Sequence, residues 1–346
     1  MILGACAPRL APPGPGLAAH HLTAPALTET RFMTDDGTEL PLRSWRPPED
    51  RAPHGVVLAL HGFNDYSHAF AESGPALAEQ GLVVYAYDQR GFGEAPHRGL
   101  WPGVEVLTGD LATAAAILRR RYPELPLFLL GESMGGAVVL AALAAPHPPE
   151  TDGVILVAPA VWARSTMPFY QRAALWLSAR LMPWAQFSGR GLGIQASDNI
   201  EMLRGLGRDP LFIKETRVDA VYGLVNLMDA ALLAGPQLET DALLLYGERD
   251  QVVPAAPTYR FWRSLPTEAA GQRRFALYAE GWHMLLRDLQ AEVVIEDAAA
   301  WTRNRQAPLP SGADRHAAAA LAREEAEEEP GETKAAAAEG CEAAPC

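Results

Sequence analysis

Short apolar runs alternate with stretches of helical periodicity through most of this chain. Four of the runs are too continuous to have a polar face: Gly55–Leu60, Leu82–Tyr87, Leu127–Leu130 and Gly153–Ala158. Strands with this pattern are buried on both faces, as in a parallel sheet. Helical spacing separates them, for example over residues 104–122. The pattern predicts βαβ units, and therefore an α/β fold with a mainly parallel central sheet flanked by helices.

The segment before the first buried strand predicts a β-hairpin. Thr30–Thr34 and Glu39–Trp45 have the character of strands, and Asp35-Asp-Gly37 between them favours a tight turn. We therefore expect antiparallel strands at one edge of the sheet.

The alternation of strands and helices stops at Pro159 and resumes near Glu239. Between these points the sequence predicts a helical insertion, with helices near residues 169–184, 198–207 and 211–234. Afterwards it predicts a strand at 242–246, a helix near 255–264 and a strand at 274–279. A final helix is expected to open at Gly281-Trp-His283 and to end near Arg303.

Both ends of the chain have compositions typical of unstructured segments. Residues 1–28 are rich in Pro, Gly and Ala, and residues 306–346 are rich in Ala and Glu. We expect these ends to be disordered. The folded domain is then residues 29–305, with the insertion as a helical cap at about 160–239.

The segment Leu3-Gly-Ala-Cys6 resembles a bacterial lipobox, in which the cysteine is acylated. A working signal needs a basic segment and an apolar run before it, and only Met1 and Ile2 stand there. Two interpretations remain open. As written, the chain predicts a cytoplasmic protein; if its true start lies upstream, it predicts a lipoprotein anchored to a membrane through Cys6. No stretch of about 18 apolar residues is evident, so no spanning helix is expected.

Charge and cysteine content exclude several classes of function. The net charge of −13 argues against a nucleic-acid partner, because no basic patch is present to neutralise phosphates. The three cysteines, Cys6, Cys341 and Cys346, lie in the terminal segments, and the histidines lack metal-binding spacings. We expect no metal and no organic cofactor, and the sequence does not determine the oligomeric state.

A candidate nucleophile lies in the pentapeptide Gly131-Glu-Ser-Met-Gly135, between an apolar strand and an apolar helix. A serine at a sharp strand-to-helix turn presents its hydroxyl at the edge of the sheet. Such a turn brings the flanking backbone close, so the two glycines mark positions where a side chain would clash. Ser133 is therefore the predicted nucleophile.

Serine needs a base to remove its proton, and the base needs an acid to hold it in one tautomer. Asp250 and His283 each follow an apolar strand, and the order Ser, Asp, His is that of α/β-hydrolases. The carboxyl ends of parallel strands share one edge, where all three residues can meet. Glu248 is the alternative acid.

The site must also donate hydrogen bonds to the oxyanion that forms during acyl transfer. One backbone N–H follows the nucleophile, which assigns it to Met134. The second is expected from the loop after the strand that ends at His61, and we assign it to Phe63.

Five short motifs accompany these residues: His61-Gly62, Asp88-x-Arg-Gly-x-Gly93, Gly-Glu-Ser-Met-Gly-Gly136, Gly-x-x-Asp250 and Gly-Trp-His283. Together they resemble the monoacylglycerol lipase and lysophospholipase branch of the α/β-hydrolase superfamily, a group also described as serine aminopeptidase-like. The resemblance covers roughly residues 29–305. It implies the α/β-hydrolase fold, hydrolysis of a single acyl ester by the three residues above, and a cap formed by the insertion.

The predicted function is a carboxylic ester hydrolase of the lipase or esterase type, acting through an acyl-enzyme. The expected substrate is an ester with an apolar acyl group, such as a monoacylglycerol or lysophospholipid. Other reactions of the same three residues remain open, namely those of an aminopeptidase, a C–C hydrolase or a perhydrolase. A non-catalytic binding protein on a hydrolase scaffold is a further alternative.

Two groups of residues have roles that the sequence leaves open. Asp88 and Arg90 either brace a loop beside the site or contact substrate. The cap carries the aromatic residues Phe169, Tyr170, Trp176 and Trp184. These suit contact with an apolar acyl chain, or a cap that docks on lipid, so peripheral membrane contact is an open prediction.

Overall fold

A computed structural model describes residues 8–189, 191, 193–266 and 272–324. Its strands are β1 (Ala26–Leu27), β2 (Arg31–Met33), β3 (Glu39–Trp45), β4 (Gly55–Leu60), β5 (Leu82–Tyr87), β6 (Leu127–Glu132), β7 (Gly153–Val157), β8 (Gln186–Phe187), β9 (Thr216–Arg217), β10 (Ala242–Gly247) and β11 (Arg273–Tyr278). Nine of them form the central sheet in the order β1-β2-β3-β5-β4-β6-β7-β10-β11. The strands from β5 to β11 in this order pair in parallel, and β1, β2 and β3 join antiparallel. The predicted α/β fold with a mainly parallel sheet is confirmed.

Helices cover both faces of the sheet. They are α1 (Ser73–Glu79), α2 (Val104–Arg121), α3 (Met134–Leu143), α4 (Phe169–Leu181), α5 (Ile200–Arg208), α6 (Val218–Ala234), α7 (Ala255–Ser264) and α8 (Ala291–Arg303). A further helix spans residues 313–324. Short 3-10 helices lie at Leu17–His20, Ser67–Phe70, Arg164–Thr166 and Gly235–Gln237.

The continuous apolar runs are explained by two cores, one on each face of the sheet. Along β4, Leu58 and Leu60 join the core beneath α2, α3 and α6, whereas Val57 and Ala59 join the core beneath α1 and α8. Successive side chains of a strand point to opposite faces, so both sets must be apolar. This burial places the carboxyl ends of the parallel strands along one rigid edge.

The N-terminal segment is more structured than its composition predicts. The amide N–H of Arg9 bonds to the Asp219 carboxylate at 3.2 Å, and the Ala11 N–H bonds to the Trp101 carbonyl at 2.8 Å. Strand β1 pairs with β2. The partners of residues 8–28 belong to other parts of the folded domain. The composition of the segment itself therefore could not predict that it is ordered. Cys6 lies outside the described residues.

The C-terminal extension also begins as folded structure, contrary to the expectation for residues 306–346. Leu309, Ala313 and Ala317 are buried against the core, and Arg274 donates to Asp314 at 2.5 Å. The helix of residues 313–324 therefore belongs to the domain. The remainder of the extension, with Cys341 and Cys346, lies outside the described residues.

The insertion forms the predicted helices with shifted bounds, namely α4, α5 and α6. Residues 218–237 are long and apolar enough to cross a membrane by length and composition, so the expectation that no such stretch exists is wrong. However, 56% of the most apolar window is buried inside the molecule, with Leu227 and Ala231 in the core beside α3. This burial is typical of a core helix.

The last predicted helix begins later than expected. It opens at Ala291, and His283 lies instead in the loop after β11. Backbone groups of this loop bond to segments distant in sequence, which keeps it out of the helix.

Candidate active site

Ser133 occupies the predicted turn between β6 and α3 in a strained backbone conformation. Its φ is 53° and its ψ is −112°, which lies outside the ordinary wells for an L-residue. The Ser133 N–H donates to the Val157 carbonyl at 2.9 Å, so the neighbouring strand β7 holds the turn in place. Strain of this kind persists only where the surrounding structure fixes it.

The glycines of the pentapeptide are required by close backbone contacts. A Cβ on Gly131 would lie 2.4 Å from the Gly136 nitrogen, and one on Gly135 would lie 2.1 Å from the Leu60 carbonyl oxygen. The predicted clash therefore occurs at both positions. At Gly135 it involves strand β4 rather than the turn itself.

Asp250 and His283, far apart in sequence, are hydrogen-bonded. His283 Nδ1 and Asp250 Oδ2 are 2.8 Å apart, and the His283 side chain is almost fully buried. The other carboxylate oxygen of Asp250 accepts from the N–H groups of Val252 and Val253 at 2.7 and 2.9 Å. With the carboxylate satisfied in this way, Nδ1 is the protonated nitrogen and Nε2 is free to accept a proton.

Glu248, the alternative acid, lies apart from this pair. It is paired with His316 of the C-terminal helix at 2.9 Å. Of the two candidate carboxylates, Asp250 is therefore the one that contacts His283.

The loop after β4 brings Phe63 to the cavity that Ser133 lines. A Cβ on Gly62 would lie 3.4 Å from Ser133 Cβ, which measures how closely the loop approaches. His61 fixes the loop from below, since its Nδ1 is 2.8 Å from the Gly62 carbonyl and its Nε2 accepts the Gln89 N–H at 2.9 Å. Burial lowers the pKa of His61, consistent with this neutral bridging role.

Within the described part of the chain, the N–H groups of Phe63 and Met134 have no hydrogen-bond acceptor. Met134 is the first residue of α3, directly after Ser133, and Phe63 lines the same cavity as Ser133. Both N–H groups are thus available to a bound oxygen.

Ser133 and His283 open onto an apolar cavity of about 410 Å³. One face of α6 forms much of its wall, with side chains at helical spacing: Val221, Leu224, Val225 and Met228. Trp162 and Met167, at the start of the insertion, also line it. The cavity can hold an apolar group of substantial size next to Ser133.

The aromatic residues predicted to contact either an acyl chain or lipid lie outside this cavity. Phe169, Tyr170, Trp176 and Trp184 are each more than half exposed, and Phe169 is 81% exposed. The acyl-contact interpretation of these four residues is therefore wrong, because α6 supplies that wall instead. Their outward face is a separate surface.

Arg90 acts as a brace within the fold. Its guanidinium makes a bidentate pair with Asp110 at 2.7 and 2.8 Å and bonds to Asp36 at 2.6 and 2.8 Å. Asp88 holds the Ser67 N–H and the Glu94 N–H at 2.9 Å. Both residues face protein groups, which favours the bracing interpretation over substrate contact.

A buried charge cluster beside Ser133 was not predicted. Arg287 donates to Asp65 at 2.7 Å and to Glu132 at 3.3 Å, and all three line the cavity. Burial raises the pKa of Glu132, although the Arg287 charge opposes this. Of the three, only Glu132 adjoins an assigned residue, Ser133, and no spacing in the sequence pointed to its pairing with Arg287.

Comparison with known proteins places the chain in a family. Residues 51–290 match the family described as serine aminopeptidase, S33. Monoglyceride lipase of Rattus norvegicus is 28% identical over 282 residues, which cover 79% of this chain and 90% of that protein. Monoacylglycerol lipase of Mycolicibacterium smegmatis is 25% identical over 287 residues, covering 79% and 96%.

Comparison with solved structures finds the same kind of protein as the sequence comparison. A soluble variant of monoglyceride lipase from Saccharomyces cerevisiae, in complex with a substrate analog, superposes with a TM-score of 0.65 at 21% identity. The match covers 84% of this chain and 98% of that one. With the match over residues 51–290, which include Ser133, Asp250 and His283, this chain belongs to the serine aminopeptidase S33 family of α/β-hydrolases.

Proposed function

We propose that this enzyme hydrolyses carboxylic esters with an apolar acyl group, and that monoacylglycerols are its substrates. One observation carries the proposal: Ser133 and His283, the latter bonded to Asp250 at 2.8 Å, line one apolar cavity. The relatives named as monoglyceride lipases support the choice of substrate class.

In the first half of the reaction, Ser133 Oγ attacks the ester carbonyl carbon while His283 Nε2 takes its proton. Asp250 holds the ring by Nδ1 and stabilises the imidazolium that forms. The tetrahedral intermediate then collapses, the bond from carbonyl carbon to alcohol oxygen breaks, and His283 gives its proton to the departing alcohol. The product left on the enzyme is an acyl ester of Ser133.

In the second half, water replaces the alcohol. His283 accepts a proton from the water as it attacks the acyl carbon, and returns that proton to Ser133 Oγ when the acyl bond breaks. The negative oxygen of each intermediate accepts hydrogen bonds from the Phe63 and Met134 N–H groups. Each such donor contributes on the order of 3 kcal/mol to transition-state stabilisation.

The acyl group is placed against the α6 wall of the cavity. Each methylene removed from water there contributes about 0.8 kcal/mol to binding. An aminopeptidase would instead need a free carboxylate for the substrate amino group. The acids lining the cavity, Asp65 and Glu132, are both paired with Arg287, which disfavours that reaction.

The proposed function is tested with monoacylglycerols and p-nitrophenyl esters of increasing chain length, with Ser133→Ala as the blank. We expect kcat/KM to rise with chain length until the cavity is filled, and Ser133→Ala to be inactive while folded. A fluorophosphonate probe should label Ser133. Labelling of a different residue, or hydrolysis by Ser133→Ala, contradicts the mechanism.

We also propose that the outward face of α4 docks on lipid. This face carries Phe169, Tyr170, Trp176, Leu177 and Leu181, all half or more exposed. Residues 168–187 contain two arginines and no acid in a chain whose net charge is −13. An apolar face with flanking cations suits an anionic bilayer.

Docking is tested by sedimentation with vesicles of phosphatidylglycerol and phosphatidylcholine. The double variant Phe169→Ser, Trp176→Ser is expected to bind at least about tenfold more weakly, since two apolar anchors are lost. Leu233→Ser is the matched control, because Leu233 is 72% exposed but belongs to α6 and not to the outward face of α4. Equal binding by the double variant and the control contradicts docking through this face.

A further inference from the structure

A short segment of the cap insertion is bonded to both loops of the acid–base pair. We name residues 195–197 the clasp. The Gln195 N–H donates to Gln251 Oε1 at 3.0 Å, and the Ala196 carbonyl accepts the Met284 N–H at 3.0 Å. Gln251 and Met284 are the residues directly after Asp250 and His283. The clasp thus connects the loop that carries Asp250 to the loop that carries His283.

The third clasp residue, Ser197, is connected through Asp288 to the residue before His283. Ser197 Oγ donates to Asp288 Oδ1 at 2.5 Å, and the other oxygen of Asp288 accepts the Trp282 N–H at 2.8 Å. Ser197 and Asp288 are both buried. The N–H groups before and after His283 are therefore both held, one by Asp288 and one by the clasp itself.

These bonds replace the support that a helix would give. His283 lies in an irregular loop, since α8 begins only at Ala291. Among the described residues, its ring has one side-chain hydrogen-bond partner, Asp250. A buried carboxylate such as Asp288 is costly to keep without partners, and here its partners are the clasp hydroxyl and the backbone of the base. A displacement of about 1 Å in such a group can lower turnover on the order of 100-fold.

We propose that the clasp and Asp288 are positioning elements that set the orientation of His283, which makes the cap insertion part of the acid–base machinery. The inference rests on the proposed function of Ser133, Asp250 and His283. It assigns the insertion a second task, distinct from enclosing substrate. None of these groups touches the reacting atoms.

The test measures the rate of Ser133 labelling by a fluorophosphonate, which needs an oriented base but no particular ester. In Ser197→Ala we expect labelling and kcat to fall about tenfold or more, with KM little changed. The downfield proton signal of His283 Nδ1–H in NMR spectra should weaken. Asp288→Ala should behave in the same way, whereas Asp288→Asn, which keeps an acceptor for the Trp282 N–H, should recover most of the rate.

Asp198→Ala is the matched control. Asp198 accepts the Leu289 N–H at 2.9 Å, a bond of the same kind to the same loop but at a residue that does not adjoin His283. We expect it to keep the wild-type labelling rate. Gln251→Ala, on an exposed side chain, is the second variant if Ser197→Ala does not fold, and a fall of about threefold is expected.

The outcomes separate the two proposals. If the wild-type protein is labelled and both Ser197→Ala and Gln251→Ala are labelled at the wild-type rate, the positioning role of the clasp is overturned. The proposed function is then unaffected. A drop in thermal stability with unchanged labelling also overturns the positioning role, because a purely structural role predicts that result. Wild-type protein that does not label overturns both proposals.

Discussion

The strained conformation of Ser133 predicts that this residue destabilises the fold. Its φ of 53° and ψ of −112° are costly for any residue with a Cβ and tolerable for glycine. Ser133→Gly and Ser133→Ala both remove the hydroxyl, and they differ only in the Cβ, which alanine keeps and glycine lacks. A comparison of the two therefore isolates the strain.

The magnitude follows from two opposing effects. A residue held in a sparsely populated backbone region costs about 1–3 kcal/mol. Glycine loses about 0.5–1 kcal/mol through the greater freedom of its unfolded chain. The Ser133→Gly variant should therefore be more stable than Ser133→Ala by about 1 kcal/mol, although both are inactive.

The free energy of unfolding is measured by urea denaturation, with the melting temperature as a second readout. A difference of this size corresponds to a Tm about 2 °C higher for the glycine variant. Circular dichroism provides the check that both variants retain the native fold. If the glycine variant is equally or less stable than the alanine variant, the surrounding contacts do not impose strain and the reasoning is refuted.

Other predictions concern the turn and the brace. Gly135→Ala should prevent folding or destabilise the protein strongly, because its Cβ would lie 2.1 Å from the Leu60 carbonyl oxygen; soluble yield and Tm test this. Arg90→Met should cost about 3–5 kcal/mol in urea unfolding by leaving Asp110 and Asp36 without their partner. Burial would raise the pKa of Asp36, but its bonds to Arg90 and neighbours hold it well below the ordinary 3.8. Stability from this group is complete above pH about 4 and is lost as the pH falls further, so the urea midpoint should drop less steeply with acid in Asp36→Asn.

Much of the site could be predicted because its residues carry local signals. Ser133 lies between glycines that the turn requires, and Asp250 and His283 each follow a strand whose apolar character is plain. The carboxyl ends of those strands share one edge of the sheet, so the position of each residue just after a strand predicted that the three would lie close together. The 2.8 Å bond between Asp250 and His283 agrees with that reasoning.

The contacts that support the site carry no such signal. Ser197 and Asp288 are 91 residues apart, and Arg287 and Asp65 are 222 apart. Hydrogen bonds of this kind join residues at no fixed spacing in the sequence, and no bias in amino-acid composition marks them. The Ser197–Asp288 bond forms because the insertion folds back over the edge of the sheet, and the Arg287–Asp65 pair forms because the loops after β11 and β4 meet there.

The orientation of the cap helices was equally undetermined by pattern. Both α4 and α6 carry apolar residues at helical spacing, and the aromatic residues at 169–184 left acyl contact and lipid docking equally open. The structure places Val221, Leu224, Val225 and Met228 in the cavity and leaves Phe169 exposed. Periodicity predicts that α4 and α6 each have an apolar face. The packing of α6 against α3 determines that the face of α6 lines the cavity.

By itself, the sequence determined the parts governed by local chemistry: buried strands, the glycine-flanked turn at Ser133, and the order of acid and base. Tertiary structure alone decided where the ends of the domain lie and what holds His283. Residues 8–28 and 307–324 have little apolar surface of their own, yet they are ordered by partners on distant elements. Such partners become available only once the sheet and its helices have assembled, which is why composition could not reveal them.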